Sequence, residues 1–184
     1  MKVANTESSI MEIPDNWGKG HIEPFWDDHH HFLNYEKEDF NNPDDVYSWD
    51  KLGYGGNYVG GLCDMRKPQA WYTQDIVDEL LECFPLKNIG TSYYRMPTGA
   101  VLPNHKDTYK KYIELFGCNL NSIIRFVVFI EDWYSGHYLE VDNKPIVEWK
   151  RGDYVWWRGD VTHMAANLGT EYRFTLQITG HNGL

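Results

Sequence analysis

Past residue 89 the chain is a succession of short runs rich in Val, Ile, Tyr, Trp and Thr, at 89–96, 123–130, 138–141, 146–149, 154–157, 161–166 and 172–179. Turn-forming pairs and triplets punctuate them: Asp142-Asn143, Arg151-Gly152-Asp153 and Leu168-Gly169-Thr170. Helices do not alternate with these segments, so a parallel sheet built from strand–helix–strand crossovers is excluded. The pattern predicts a mainly β, antiparallel core of sandwich or barrel type, with helices on one face.

Two helices are expected. Over 73–84, Ile76, Val77, Leu80, Leu81 and Phe84 fall on one stripe, Thr73 is placed to cap it, Asp75 suits the first turn and Pro85 stops it. A shorter pattern covers 109–116. Before residue 50, Pro14, Pro24 and Pro43 interrupt any period, so this segment reads as an irregular, extended arm. Its aromatics, Trp17, Phe25, Trp26, Phe32, Tyr35 and Phe40, are expected to pack it on the core. The glycine-rich 53–61 stretch that follows is a loop or hairpin, with the option of a lid. At 184 residues the expected organisation is a single domain over 1–184, with an N-terminal arm over 1–60 and a catalytic core over 73–184.

Charge and cysteine usage narrow the function. Seventeen Lys+Arg against 27 Asp+Glu give a formal charge of −10, which disfavours nucleic acid as a partner. Cys63, Cys83 and Cys118 are an odd number without a CxxC pair, so neither a disulfide framework nor a thiolate cage is expected. With no signal-peptide pattern and no membrane-spanning run, a cytoplasmic location and no membrane partner are the expectation. Dinucleotide, P-loop and hydrolase-elbow motifs are missing.

The chemistry concentrates in a short ordered set. His105 and Asp107, at i and i+2, project to the same side of a strand or strand end, and His163 lies in a later β segment. Two His and one carboxylate are the facial set that binds non-haem Fe(II) while leaving positions open for a bidentate cosubstrate and O2. Arg173 and Thr175 then share one face of the last segment, where a guanidinium and a hydroxyl can clamp the far end of a small dicarboxylate such as 2-oxoglutarate. Arg125, inside an apolar run, needs an anion. Either a carboxylate of the cosubstrate or a structural ion pair would serve. His29-His30-His31, beside Asp27 and Asp28, reads as a solvated turn rather than a metal tract. His137 and His181 stand alone, and the Tyr93-Tyr94 and Trp156-Trp157 pairs read as packing.

From Tyr94 to His181 the chain resembles the 2-oxoglutarate and Fe(II)-dependent dioxygenases, and within them the aspartyl/asparaginyl β-hydroxylase-like branch. The resemblance rests on the His105-Lys106-Asp107 element, Arg125 in the next strand, residues 149–153, the Gly159 to His163 stretch, and Arg173-Phe174-Thr175. Unlike animal members of that branch, this chain carries the carboxylate, Asp107. The resemblance implies a double-stranded β-helix of the jelly-roll or cupin-like type with flanking helices. It also implies Fe(II) on His105, Asp107 and His163, and 2-oxoglutarate on Arg173 with Thr175, Arg125 and Tyr94 as further candidates. O2 is the oxidant and a peptide or protein side chain, or an amino acid, the substrate, with release of succinate and CO2. Substrate-contacting residues and oligomeric state are unassigned. Two alternatives stand beside it: a cupin-like metal protein of another class, acting as isomerase, hydrolase or ligand sensor, and an interaction module that keeps the fold without the chemistry.

Overall fold

A computed structural model describes residues 16–37, 41–58, 60–63 and 69–183. The first 15 residues of the arm, and Phe40, lie outside them. The core is two antiparallel sheets. The larger has the order β1 (Trp17–His21), β9 (Asp153–Arg158), β6 (Ile123–Phe129), β11 (Arg173–His181), β4 (Lys87–Met96), β3 (Gly61–Cys63), β2 (Tyr35–Lys37). The smaller has the order β5 (Val101–His105), β10 (His163–Asn167), β7 (His137–Val141), β8 (Lys144–Ile146).

The central strands of the larger sheet are largely buried on both sides because both sides are covered. In β6, Ile124, Phe126 and Val128 face outward and Val127 and Phe129 inward; β11 sends Phe174, Leu176 and Ile178 outward. Helix α2 (Thr73–Cys83) seals the outer face with Ile76, Val77, Leu80 and the adjoining Phe84, whose ring meets Phe126 edge-on at 4.9 Å. The inner face meets the smaller sheet through Leu139, Val141 and Ala165. Helix α3 (Lys110–Phe116) follows β5.

Several expectations are corrected. The segment read as an irregular arm supplies β1, β2, a 3-10 turn (His29–Phe32) and helix α1 (Pro43–Lys51). Thr73 does not cap α2; its Oγ1 donates to the Ala70 carbonyl at 2.6 Å, and the N-cap residue is Tyr72. The strand expected over 146–149 is Lys144–Ile146 instead, because Glu148 takes a left-handed backbone (φ 57°) that no strand continues through. Trp149 is nonetheless buried, stacked on Phe129 at 3.9 Å.

Candidate metal and cosubstrate site

Strand pairing makes the site. In β10 and β5, His163 and His105 are direct cross-strand partners, which puts their rings 4.4 Å apart. Asp107 follows β5 by two residues. Its Oδ1 lies 3.5 Å from His105 Nε2 and 3.9 Å from His163 Nε2, gaps too long for good hydrogen bonds and short enough to be spanned by one ion. One ligand atom from each of the three lies within 4.8 Å of the others.

The backbone fixes the tautomers. His105 Nδ1 is 2.8 Å from the Pro103 carbonyl and His163 Nδ1 is 3.2 Å from the Val161 carbonyl; a carbonyl only accepts, so both Nδ1 atoms donate. That leaves each Nε2 lone pair directed at the centre of the triad, as in metal-ligating histidines whose other nitrogen is tied down. Burial holds His163 down to about 4, so it is neutral at pH 7. Burial would raise Asp107, yet His105, Arg125 and His163 together keep its carboxyl far below the usual range and ionised. Burial acts against protonation of His105 too, but Asp107 outweighs it and raises its pKa.

Arg125 lies in this cluster. Its Nη2 is 3.3 Å from Asp107 Oδ2, Nη1 donates to Gln177 at 2.6 Å and Nε to Tyr109 Oη at 3.2 Å. The structure therefore gives it the ion pair: one Asp107 oxygen meets the guanidinium, leaving the other facing the imidazoles.

Arg173 is placed differently. It is only 5% exposed, and Nη1 donates to the Tyr138 carbonyl at 2.7 Å. Among the described residues no carboxylate lies within ion-pair distance of it, and its Nε has no hydrogen-bond partner. Thr175 Oγ1, on the same face two residues along, is also buried without a partner. Burial alone brings the guanidinium down to about 10, still charged at neutral pH. The inward row of β11 thus runs from Gln177, bonded to Arg125 beside the triad, through Thr175 to Arg173. Tyr94 is the cross-strand partner of Thr175 and is buried on the same inner face.

Two aromatic groups at the site carry no sequence signal of their role. Trp49 of α1 meets the His105 ring edge-on at 5.5 Å, and Trp157 of β9 tilts against His163 at 4.8 Å. Trp157 Nε1 is buried without a hydrogen-bond partner. Asn42, Pro43, Asp44 and Asp45 form a helix-start signature that would have located α1, though not its contact with His105.

The reading of His29-His30-His31 as a solvated turn fails for His30, which is fully buried under Tyr72 and Glu131. His137 and His181 are buried as well, each with a hydrogen-bonded ring nitrogen.

No family model matches the chain, and no curated protein matches it. Solved structures do. A prolyl-4-hydroxylase from Pseudomonas putida superposes with a TM-score of 0.52 at 14% identity, over 92% of this chain and 94% of that one. The cupin domain of Schizosaccharomyces pombe Cnp3 gives 0.38 at 12% identity over 52% of this chain, and the match spans 58% of that domain's length. A predicted oxalate decarboxylase from Thermotoga maritima gives 0.41 at 10% identity, covering 67% and 82%. The chain shares its fold with that prolyl-4-hydroxylase structure, a mainly β jelly-roll core of two antiparallel sheets with flanking helices. At these identities the likeness is one of fold and does not extend to the β-hydroxylase branch.

Proposed function

We propose that the chain is a 2-oxoglutarate- and Fe(II)-dependent oxygenase. His105, Asp107 and His163 hold Fe(II), and Arg173 with Thr175 takes the distal carboxylate of 2-oxoglutarate. The observation that carries this reading is Arg173: a buried cation with no carboxylate near it is costly to keep, and a dianionic ligand removes the cost. The donor set fits Fe(II), because both imidazoles are neutral-ready at Nε2 and Asp107 is held ionised by Arg125. Bound Fe(II) supplies the oxidative chemistry that couples 2-oxoglutarate and O2 to hydroxylation, with succinate and CO2 released.

The chain's own residues bind and orient. Arg125 keeps Asp107 from rotating away from the imidazoles, and Trp49 and Trp157 wall the ligands from water. Thr175 Oγ1 and Trp157 Nε1 are free donors on the inner face, available to the cosubstrate. The substrate is a peptide or protein side chain, or an amino acid; the fold likeness to a prolyl-4-hydroxylase supports that class.

The test is anaerobic titration of the metal-free protein with Fe(II) and then 2-oxoglutarate, followed by visible absorption. A weak charge-transfer band is expected, and Arg173→Ala is expected to bind Fe(II) but to lose the band. Fe(II) binding with no band in the wild-type chain would overturn the oxygenase reading in favour of another cupin chemistry.

A further inference from the structure

Among the described residues, the triad is one of two places where two imidazoles and a carboxylate converge. On the far side of the larger sheet, His30 Nε2 lies 3.0 Å from Glu131 Oε1, and His31 Nε2 is hydrogen-bonded to that same oxygen. Ligand atoms of the three lie within 4.8 Å of one another. A tetrahedral Zn2+ with bonds of about 2.0–2.2 Å separates neighbouring ligand atoms by roughly 3.3–3.6 Å, so little opening is needed to admit it.

The surroundings are those of a held site. His30 is fully buried, its backbone N–H donates to Tyr72 Oη at 3.2 Å, and its Nδ1 lies 2.9 Å from the same oxygen. Nε2 is aimed at Glu131 and donates its proton there, the proton that a metal ion on Nε2 would displace, while Nδ1 stays tied to the Tyr72 hydroxyl. His31 stacks on Phe174 at 4.6 Å, which fixes its ring while its side chain stays 44% exposed. One side is therefore open to an entering ion and to a water as fourth ligand. Burial would raise Glu131, but hydrogen bonds from His30 and His31 outweigh it and keep its carboxyl below the usual value. Phe174 faces outward on β11, whereas its neighbours Arg173 and Thr175 serve the inner face, so the two sites are separated by the sheet.

We infer that His30, His31 and Glu131 form a second metal site, of the His2Glu type, for Zn2+ or a similar divalent transition ion. Two nitrogens and one oxygen exclude Ca2+ and Mg2+, which take oxygen ligands. The site joins the turn at His29–Phe32 to the residue that follows β6 by two, and so ties the N-terminal segment to the core.

The test is Zn2+ titration of metal-free full-length protein against a chromophoric chelator. A His105→Ala/His163→Ala variant, which lacks the first site, is expected to retain one equivalent and to gain thermal stability from it. Adding Glu131→Gln, which keeps an acceptor for both rings, or the half-exposed His31→Ala is expected to abolish both effects. Should the double variant fold poorly, Glu131→Gln in the otherwise wild-type chain is expected to lower the Zn2+ bound by one equivalent. Zn2+ stoichiometry unaffected by Glu131→Gln and His31→Ala, or a folded double variant that binds none, overturns the inference.

Discussion

At the scale of single residues, the telling feature is a buried cation with no anionic partner among the described residues. Arg125 and Arg173 both sit on inner-facing positions, yet Arg125 spends its donors on Asp107, Gln177 and Tyr109 while Arg173 has one carbonyl. A fold optimised for stability alone would not keep Arg173. Arg173→Leu is therefore expected to stabilise the ligand-free protein by about 1–2 kcal/mol, the gain from removing a buried charge less the orphaned Tyr138 carbonyl. For a chain of this size that raises Tm by about 2–8 °C. The same variant is expected to lose the stabilisation that 2-oxoglutarate gives the wild type, about 2.7 kcal/mol at a hundredfold excess over Kd. Paired thermal melts with and without 2-oxoglutarate check both halves; an unliganded Tm that falls sharply would mean Arg173 is structurally paired.

At the scale of elements, the strands escape sequence reading where backbone requirements override side-chain pattern. β5 and β8 carry Pro103 and Pro145, which argue against a strand in the middle of a sheet; both strands lie at the edges of the smaller one, where a missing N–H costs little. β1 reads Trp-Gly-Lys-Gly-His, and its glycines hide it. They are there because Gly18 and Gly20 pair with Trp156 and Tyr154 of β9, whose side chains lie across them. A Cβ at Gly18 would sit 2.7 Å from the Trp156 indole nitrogen, and Trp156 is buried. Gly18→Ala is thus expected to cost about 1–3 kcal/mol by overpacking, read as a drop in urea midpoint at unchanged slope. β6, β11 and α2, whose apolar patterns agree with their burial, were legible from the sequence almost to the residue.

For the whole molecule, residues 17–37 close the larger sheet at both ends. β1 covers the edge of β9 and β2 the edge of β3. Among the described residues no helix is long and apolar enough to cross a membrane. Deleting residues 1–41 leaves two bare edges, one of them the aromatic-rich β9, and is expected to give an aggregating protein without a cooperative thermal transition. A truncated chain that melts cooperatively and binds 2-oxoglutarate like the full one would show the segment to be a dispensable arm.

What the sequence determined by itself is what depends on local order along the chain: the alternation that makes strands, the stripe that makes α2, and the spacing of His105 with Asp107 and of Arg173 with Thr175. The tertiary structure decided what depends on which strands become neighbours. Cross-strand register sets His163 opposite His105, gives Arg125 its ion pair with Asp107 and denies one to Arg173. It also buries His30 beside Glu131, a hundred residues away in the chain. Such pairings arise from packing both faces of a twisted sheet, and no window of sequence contains both partners.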